Sequence, residues 1–351
     1  MKKATFILAT ILLLATIAGA RSNQWITKEK KIHRAFTVLP SGHLAITNMF
    51  GNIVIHTWDK NEVTVDVTMT AKSKSDAKCT AMLDHTFMEE SGGNNQPITF
   101  KSGIEEGYNV TNDNEIRINY IVYLPRKNSI DIENKFGNVD LDDIAGNVAL
   151  ALSFGALHAK NISGAANDIE LSFGSSTIAE LNGGKIKVQH GGLDIDKIKD
   201  IKMDNSFSKV HITSAGKLRI AHKFGDLEIG TVTDIDGFVN HSDMEIGQLL
   251  KKADLGLNYN GNSIIRHIDA AAENIKLGVG YGTLSCYFNA ETNLDIDVRV
   301  EFGSFKNHAS SSYVSIQKTD ENGNTKYYKG KAGQGKGTLN IIGNYSTVHF
   351  K

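Results

Sequence analysis

The sequence predicts an all-β fold, a single-stranded right-handed parallel β-helix. It is a solenoid of about eleven or twelve coils of 17–21 residues, with a small strand-helix-strand cap at its N-terminal end. Three observations predict it. An aromatic residue followed by Gly or another small residue recurs at a nearly constant interval. Residues of alternating character flank each of these pairs. The 351 residues include 33 Gly and only 3 Pro, and segments with helical periodicity are nearly absent.

Residues 1–20 read as a secretory signal. Lys2 and Lys3 precede an apolar run from Ala4 to Ala18, and Ala18-Gly19-Ala20 has the small-x-small form of a cleavage site, which places the mature start near Arg21. The run is short for a membrane span, and no later stretch is apolar enough to be one, so no transmembrane anchor is expected after cleavage. No Cys follows the cleavage site to carry a lipid. The expected location is the periplasm, the outer-membrane surface or outside the cell. Of the two cysteines, Cys286 falls on an inward position of the repeat, so a buried free thiol is the default. A Cys79–Cys286 bridge is the alternative.

Residues 21–130 hold the first coil and the cap. Leu44, Ile46 and Asn48 precede Phe50-Gly51, and Ile53 and Ile55 follow. The repeat then breaks. Glu62–Met69 alternates as a strand, Ser75–Glu90 reads as the one helix with Ser75 as its cap, Ser91–Gln96 is a loop, and Glu115–Leu124 is a second strand. Solenoids need such caps, because an open coil end exposes both core and strand edge.

Residues 131–308 are the regular coils. The ladder positions are Phe50, Phe136, Phe154, Phe173, His190, Phe207, Phe224, His241, Tyr259, Tyr281, Phe302 and Tyr345. Inward-type residues stand six, four and two places before each ring, and three and five places after it. Around Phe224 they are Leu218, Ile220, His222, Leu227 and Ile229. Period two marks a strand with one buried face. The rings are expected to stack inside the helix or at a corner, with a positive φ or a bulge at the Gly that follows each. The right hand follows from the general preference of parallel crossovers. A left-handed hexapeptide helix would need a six-residue period that is not found. Residues 309–351 hold a hairpin with Asn322-Gly323 at its tip, a Gly- and Lys-rich segment Lys326–Lys336 expected to be mobile, and a final coil around Tyr345-Ser346.

No nucleophile elbow, Walker loop, HExxH or CxxC motif is present, and Gly278-Val279-Gly280 has no helix after it to complete a phosphate loop. No catalytic residue, cofactor or metal is expected. His190 and His241 are three coils apart, too far to share an ion. Formal net charge is −1, which gives no electrostatic reason for nucleic acid as a partner. One basic row does arise. Lys185, Lys202 and Arg219 share the position five places before the ring, between Asp168 and Asp236, and Lys187 lies beside them. These four are the candidate ligand-binding residues, suited to a surface glycan or an envelope protein; the alternative is a solvated face whose edge Asp residues compensate the charge. The polar row one place before the rings (Ser153, Ser172, Gln189, Ser206, Lys223, Asn240, Asn258) reads as a solvated face.

The signal peptide, the Phe50-Gly51 rung with Trp58 just beyond, the strand-helix-strand interruption and the serial Phe-Gly coils together resemble a bacterial family. It is the putative-adhesin family of exported β-helix proteins, related to the head-GIN putative autotransporter adhesin domain. The resemblance spans about residues 32–351. It implies a β-helix at the cell envelope and supplies no catalytic residues. His190 and His241 depart from the family's usual Phe. The expected function is a non-catalytic binding or structural scaffold. The alternatives are a polysaccharide-active β-helix lyase or hydrolase, which would need clustered carboxylates, and a periplasmic partner of a signalling system.

Overall fold

Alternation along the chain is converted directly into a one-sided core. In Ser129–Lys135, Ile130, Ile132 and Asn134 are buried, while Asp131, Glu133 and Lys135 face solvent. Leu294–Glu301 repeats the pattern with Leu294, Ile296, Val298 and Val300 inside. The computed structural model describes residues 24–111 and 113–351. The signal peptide expected at 1–20 lies outside the described residues. Among those described, the protein is all-β with a single helix, Asp76–Asp84. No helix among them is long and apolar enough to cross a membrane.

The strands before successive rings pair in parallel, each shifted by one repeat. His43–Met49 pairs with Ser129–Lys135, Ile130 with Val148, Ala149 with Asp168, Asp168 with Lys185, and Lys185 with Lys202. The strands after the rings do the same: Ile53–Trp58 pairs with Val139–Leu141, Val139–Leu141 with Leu157–Ile162, and Leu157–Ile162 with the first part of Ser175–Gln189. Gly192–Asn258 continues as one extended run of 67 residues, turned at Phe207, Phe224 and His241. The buried side chains of all these segments form one continuous cluster from Val38 to Phe350. Each fully buried Ile, Leu or Val contributes roughly 1.5–3 kcal/mol relative to exposure.

The corners differ from the expectation. Positive φ belongs to the ring residue, not to the Gly after it: all twelve ladder residues lie at φ 49–66°, and of the residues that follow them only Gly225 is positive. The Gly has another reason. A Cβ on Gly137 would stand 2.0 Å from the Gly51 carbonyl oxygen, and one on Gly174 would stand 1.9 Å from that of Gly155. Backbones of successive coils approach too closely there for a side chain.

At the N-terminal end the helix is shorter than expected. Ser75 caps it, its side chain accepting from the Lys78 amide, but it stops at Asp84. Thr86–Ser91 is instead a strand, antiparallel to Ile98–Ile104. Strand pairing outweighed the weak helical pattern, which gave the helix only Cys79 and Met82 to bury. The free edges of the first coil are both taken: Ile98–Lys101 pairs with Leu44–Thr47, and Tyr120–Pro125 pairs with Ile53–Trp58. Two further strands complete this region: Ile26–Thr37, which precedes the expected cap, and Ile98–Ile104, which lies within it.

At the other end the coils are out of chain order. Asn274–Gly280 pairs with Gly337–Asn344, and Gly337–Asn344 pairs with Leu294–Glu301. Thr347–Phe350 likewise sits between Thr283–Cys286 and Ser304–Asn307. The last coil of the sequence is therefore an inner rung, not the terminal one. Outside it, Leu294–Glu301 pairs antiparallel with Thr325–Ala332, which pairs with Val314–Asn322. The segment expected to be mobile, Lys326–Lys336, thus supplies a strand held on both sides as far as Ala332. The hairpin turns at Gly323, where φ is +59°.

Candidate binding surface

The aromatic positions converge on one line. Neighbouring ring centroids lie 4.8–5.3 Å apart from Phe50 to Phe302, with planes within 12° of parallel. The order follows the coils: Tyr281 stacks on Tyr345, and Tyr345 on Phe302. His190 lies between Phe173 and Phe207, and His241 between Phe224 and Tyr259. The ladder runs along the outside of a corner. Its Phe and Tyr rings from Phe136 onward are 42–54 % exposed, their faces covered by each other and their edges open. Such stacks are worth about 0.5–1.5 kcal/mol per pair beyond area burial. That gain offsets part of the cost of holding bulky residues in the left-handed region, roughly 1–2 kcal/mol each.

The four candidate basic residues lie on adjoining strands, as register places Lys185 beside Lys202 and Lys187 beside Asp204. They do not form an isolated positive stripe. Lys185 Nζ is 2.9 Å from Asp168 Oδ2, and Arg219 donates to Asp200 Oδ1 at 2.7 Å. Asp168 raises the Lys185 ammonium above its ordinary value by accepting its hydrogen bond. Lys187 is flanked in register by Glu170 and Asp204. Ion pairs of this exposed kind add little to stability, and they dilute the local field.

A concave patch that the sequence did not flag lies on the strands after the first rings. A notch of about 250 Å³ is lined by His56, Asp140, Asp142, His158 and Lys160. Lys160 Nζ lies 2.7 Å from Asp142 Oδ1, and His56 Nδ1 lies 3.0 Å from Asp142 Oδ2. Burial pushes the Asp142 carboxyl up, but the hydrogen bonds and charges of Lys160 and His56 outweigh it and hold the group below its usual value. Asp143 is engaged by Arg126 at 3.3 Å and by the Asn161 side chain at 2.6 Å. Both carboxylates thus serve as acceptors within ion-pair networks. The signal was present six places after the ring, where His56, Asp142 and Lys160 occupy successive coils. The insertion between residues 59 and 129 separates His56 from the others in sequence.

Inside the core, His222 stacks a second polar row. It is fully buried, and Asn205 Nδ2 lies 3.5 Å from its Nδ1. The His222 Nε2 and Asn205 Oδ1 have no partner. Burial pushes the His222 pKa down from 6.5 to about 4. Nearer the N-terminal end the equivalent pair, Asn48 and Asn134, is fully bonded, and Ser102 donates to Asn48. Both cysteines are free and buried, and burial pushes the Cys286 thiol up to about 12. Among the described residues no group of three or more His, Cys, Asp or Glu side chains is placed to hold a metal.

No family model and no curated protein matches the chain. Several solved structures are similar to it over nearly its whole length, at low identity. A putative lipid binding protein from Parabacteroides distasonis is 12% identical, over 92% of this chain and 96% of its own, with a TM-score of 0.32. A putative adhesin from the same organism is 11% identical, over 94% and 98%, with a TM-score of 0.31. A putative cell adhesion protein from Clostridium sporogenes is 12% identical, over 93% and 99%, with a TM-score of 0.22.

Proposed function

We propose that this chain is an exported, non-catalytic scaffold of the cell envelope or surface, adhesive in role and built as a right-handed parallel β-helix. The observation that carries this reading is the unbroken parallel register with its single aromatic ladder. That geometry repeats each outward position once per coil, so one rigid face offers rows of hydroxyls, amides and alternating charges. A glycan or an envelope protein of repeating structure is the matching class of ligand, and Lys185, Lys187, Lys202 and Arg219 are the residues assigned to contact it. Engagement of Asp142 and Asp143 in ion pairs favours the scaffold over a polysaccharide-cleaving enzyme, which needs carboxylates available to substrate.

The test is binding of purified protein to a glycan array and to whole bacterial cells. Wild-type protein binds, and the variant Lys185→Ala/Lys202→Ala/Arg219→Ala loses most of that binding. Equal binding by the triple variant removes the basic row from the proposal. Absence of binding by wild-type protein in both formats removes the adhesive reading.

A further inference from the structure

Among the described residues, the ladder from Phe136 onward keeps its ring edges open to solvent. Ten Phe and Tyr rings and two His rings lie in one line, and eleven steps of about 4.9 Å give it a length on the order of 54 Å. An aromatic side chain presents 150–250 Å² when fully exposed. The nine Phe and Tyr rings from Phe136 onward, about half exposed, therefore offer on the order of 900 Å² of contiguous surface. The largest apolar patch on an ordinary monomer is about 300–600 Å². A stable protein–protein interface needs about 800 Å² from each partner.

We infer that the ladder is a self-association surface, on which a second copy of this chain packs its own ladder with the strand direction reversed. The flanks are mostly neutral. Ser153, Ser172, Gln189, Ser206, Asn240 and Asn258 precede their rings and Ser175 and Gly192 follow theirs, and the charged margin positions besides the middle pair are Lys135, Lys223, Asp243 and Glu301. The middle pair is informative. Lys209 and Asp226 stand two places after Phe207 and Phe224, the two middle rungs, and they pair within the chain at 2.8 Å. A two-fold axis between those rungs sets Lys209 of each copy beside Asp226 of the other, so this central ion pair is self-complementary, while Lys223, before Phe224, lies over the Phe238 ring of its own chain. Ring edges meeting ring edges also suit the edge-to-face preference of aromatic pairs.

Sedimentation equilibrium across a concentration series tests the inference. Wild-type protein sediments as a dimer that dissociates on dilution. Ser172→Glu/Ser206→Glu, which leaves every ring in place, sediments as a monomer with an unchanged melting temperature. Lys209→Asp weakens the dimer at least tenfold, and Lys209→Asp/Asp226→Lys restores it, a rescue that general damage to the fold would not give. Wild-type protein that stays monomeric at the highest concentration overturns the inference, as does a glutamate variant that remains dimeric. Monomeric protein that instead binds phosphatidylcholine vesicles or a soluble glucan, and releases them in the glutamate variant, also overturns it and gives the surface another occupant.

Discussion

The middle of the molecule and its C-terminal end solve the same packing problem in opposite ways. Between Ser129 and Asn258 each coil lies on the one before it in sequence, seventeen to nineteen residues away. Beyond Asn258 the chain leaves a gap between Asn274–Gly280 and Leu294–Glu301, and the final residues return to fill it. The end depends on a segment that arrives last. Stacked repeats are stabilised by nearest-neighbour contacts. The difference shows that local register is enough to build a stack, while non-local strands are needed to finish it.

Removal of residues 337–351 breaks that contrast most severely. It strips the pairing partners from one side of Asn274–Gly280 and of Leu294–Glu301, along with the core residues Leu339, Ile341, Val348 and Phe350. Hydrogen exchange will show protection lost from about residue 263 onward and retained in 129–258, and the melting temperature will fall by more than about 10 °C. Uniform loss of protection would mean that the two regions are one cooperative unit.

Gly174→Ala tests the middle by forcing coils apart at one point. The new Cβ meets the Gly155 carbonyl oxygen at 1.9 Å, and both groups are backbone-fixed. Destabilisation of about 3 kcal/mol is expected in urea unfolding, the range of backbone strain and overpacking.

The buried His222 gives the middle its own pH sensitivity. Its folded pKa, about 4, lies below the ordinary 6.5, so between these values the unfolded state binds the extra proton. Stability therefore falls as pH drops through this window, by about 3 kcal/mol in full below pH 4. The variant Asn205→Leu/His222→Leu copies Leu152 and Leu171, which hold the equivalent inward slot, and it should flatten the denaturant-midpoint profile from pH 6.5 to 4. An unchanged profile would assign the acid response to other groups.

The smallest effect belongs to the ladder. His190→Phe restores an apolar rung between Phe173 and Phe207, and it should raise stability by about 0.5 kcal/mol. A loss instead would show that the His rung makes a specific contact.

Much of this was legible because period-two alternation and the ring spacing are local. Ile130, Ile132 and Asn134 were readable as inward from their neighbours alone, as was each later triplet. The cap was partly legible: Glu115–Leu124 alternates cleanly, whereas Thr86–Ser91 became a strand only because Ile98–Ile104 lies beside it. The basic row was readable by counting, and so were the compensating Asp at its edges, but the partner of Arg219 was not. Asp200 reaches Arg219 from nineteen residues away, and a carboxylate's choice of cation depends on side-chain reach across coils. The notch around Asp142 stayed hidden because His56 is brought to it over an insertion.

By itself the sequence determined the repeat, the identity of the inward residues and the line of rings, since each depends on spacing within one coil or between adjacent ones. Only the tertiary structure decided which residue carries the positive φ, where the last coil sits and how much of each ring stays open to solvent. Those outcomes turn on the approach of one backbone to another across the stack, a distance that no local pattern encodes.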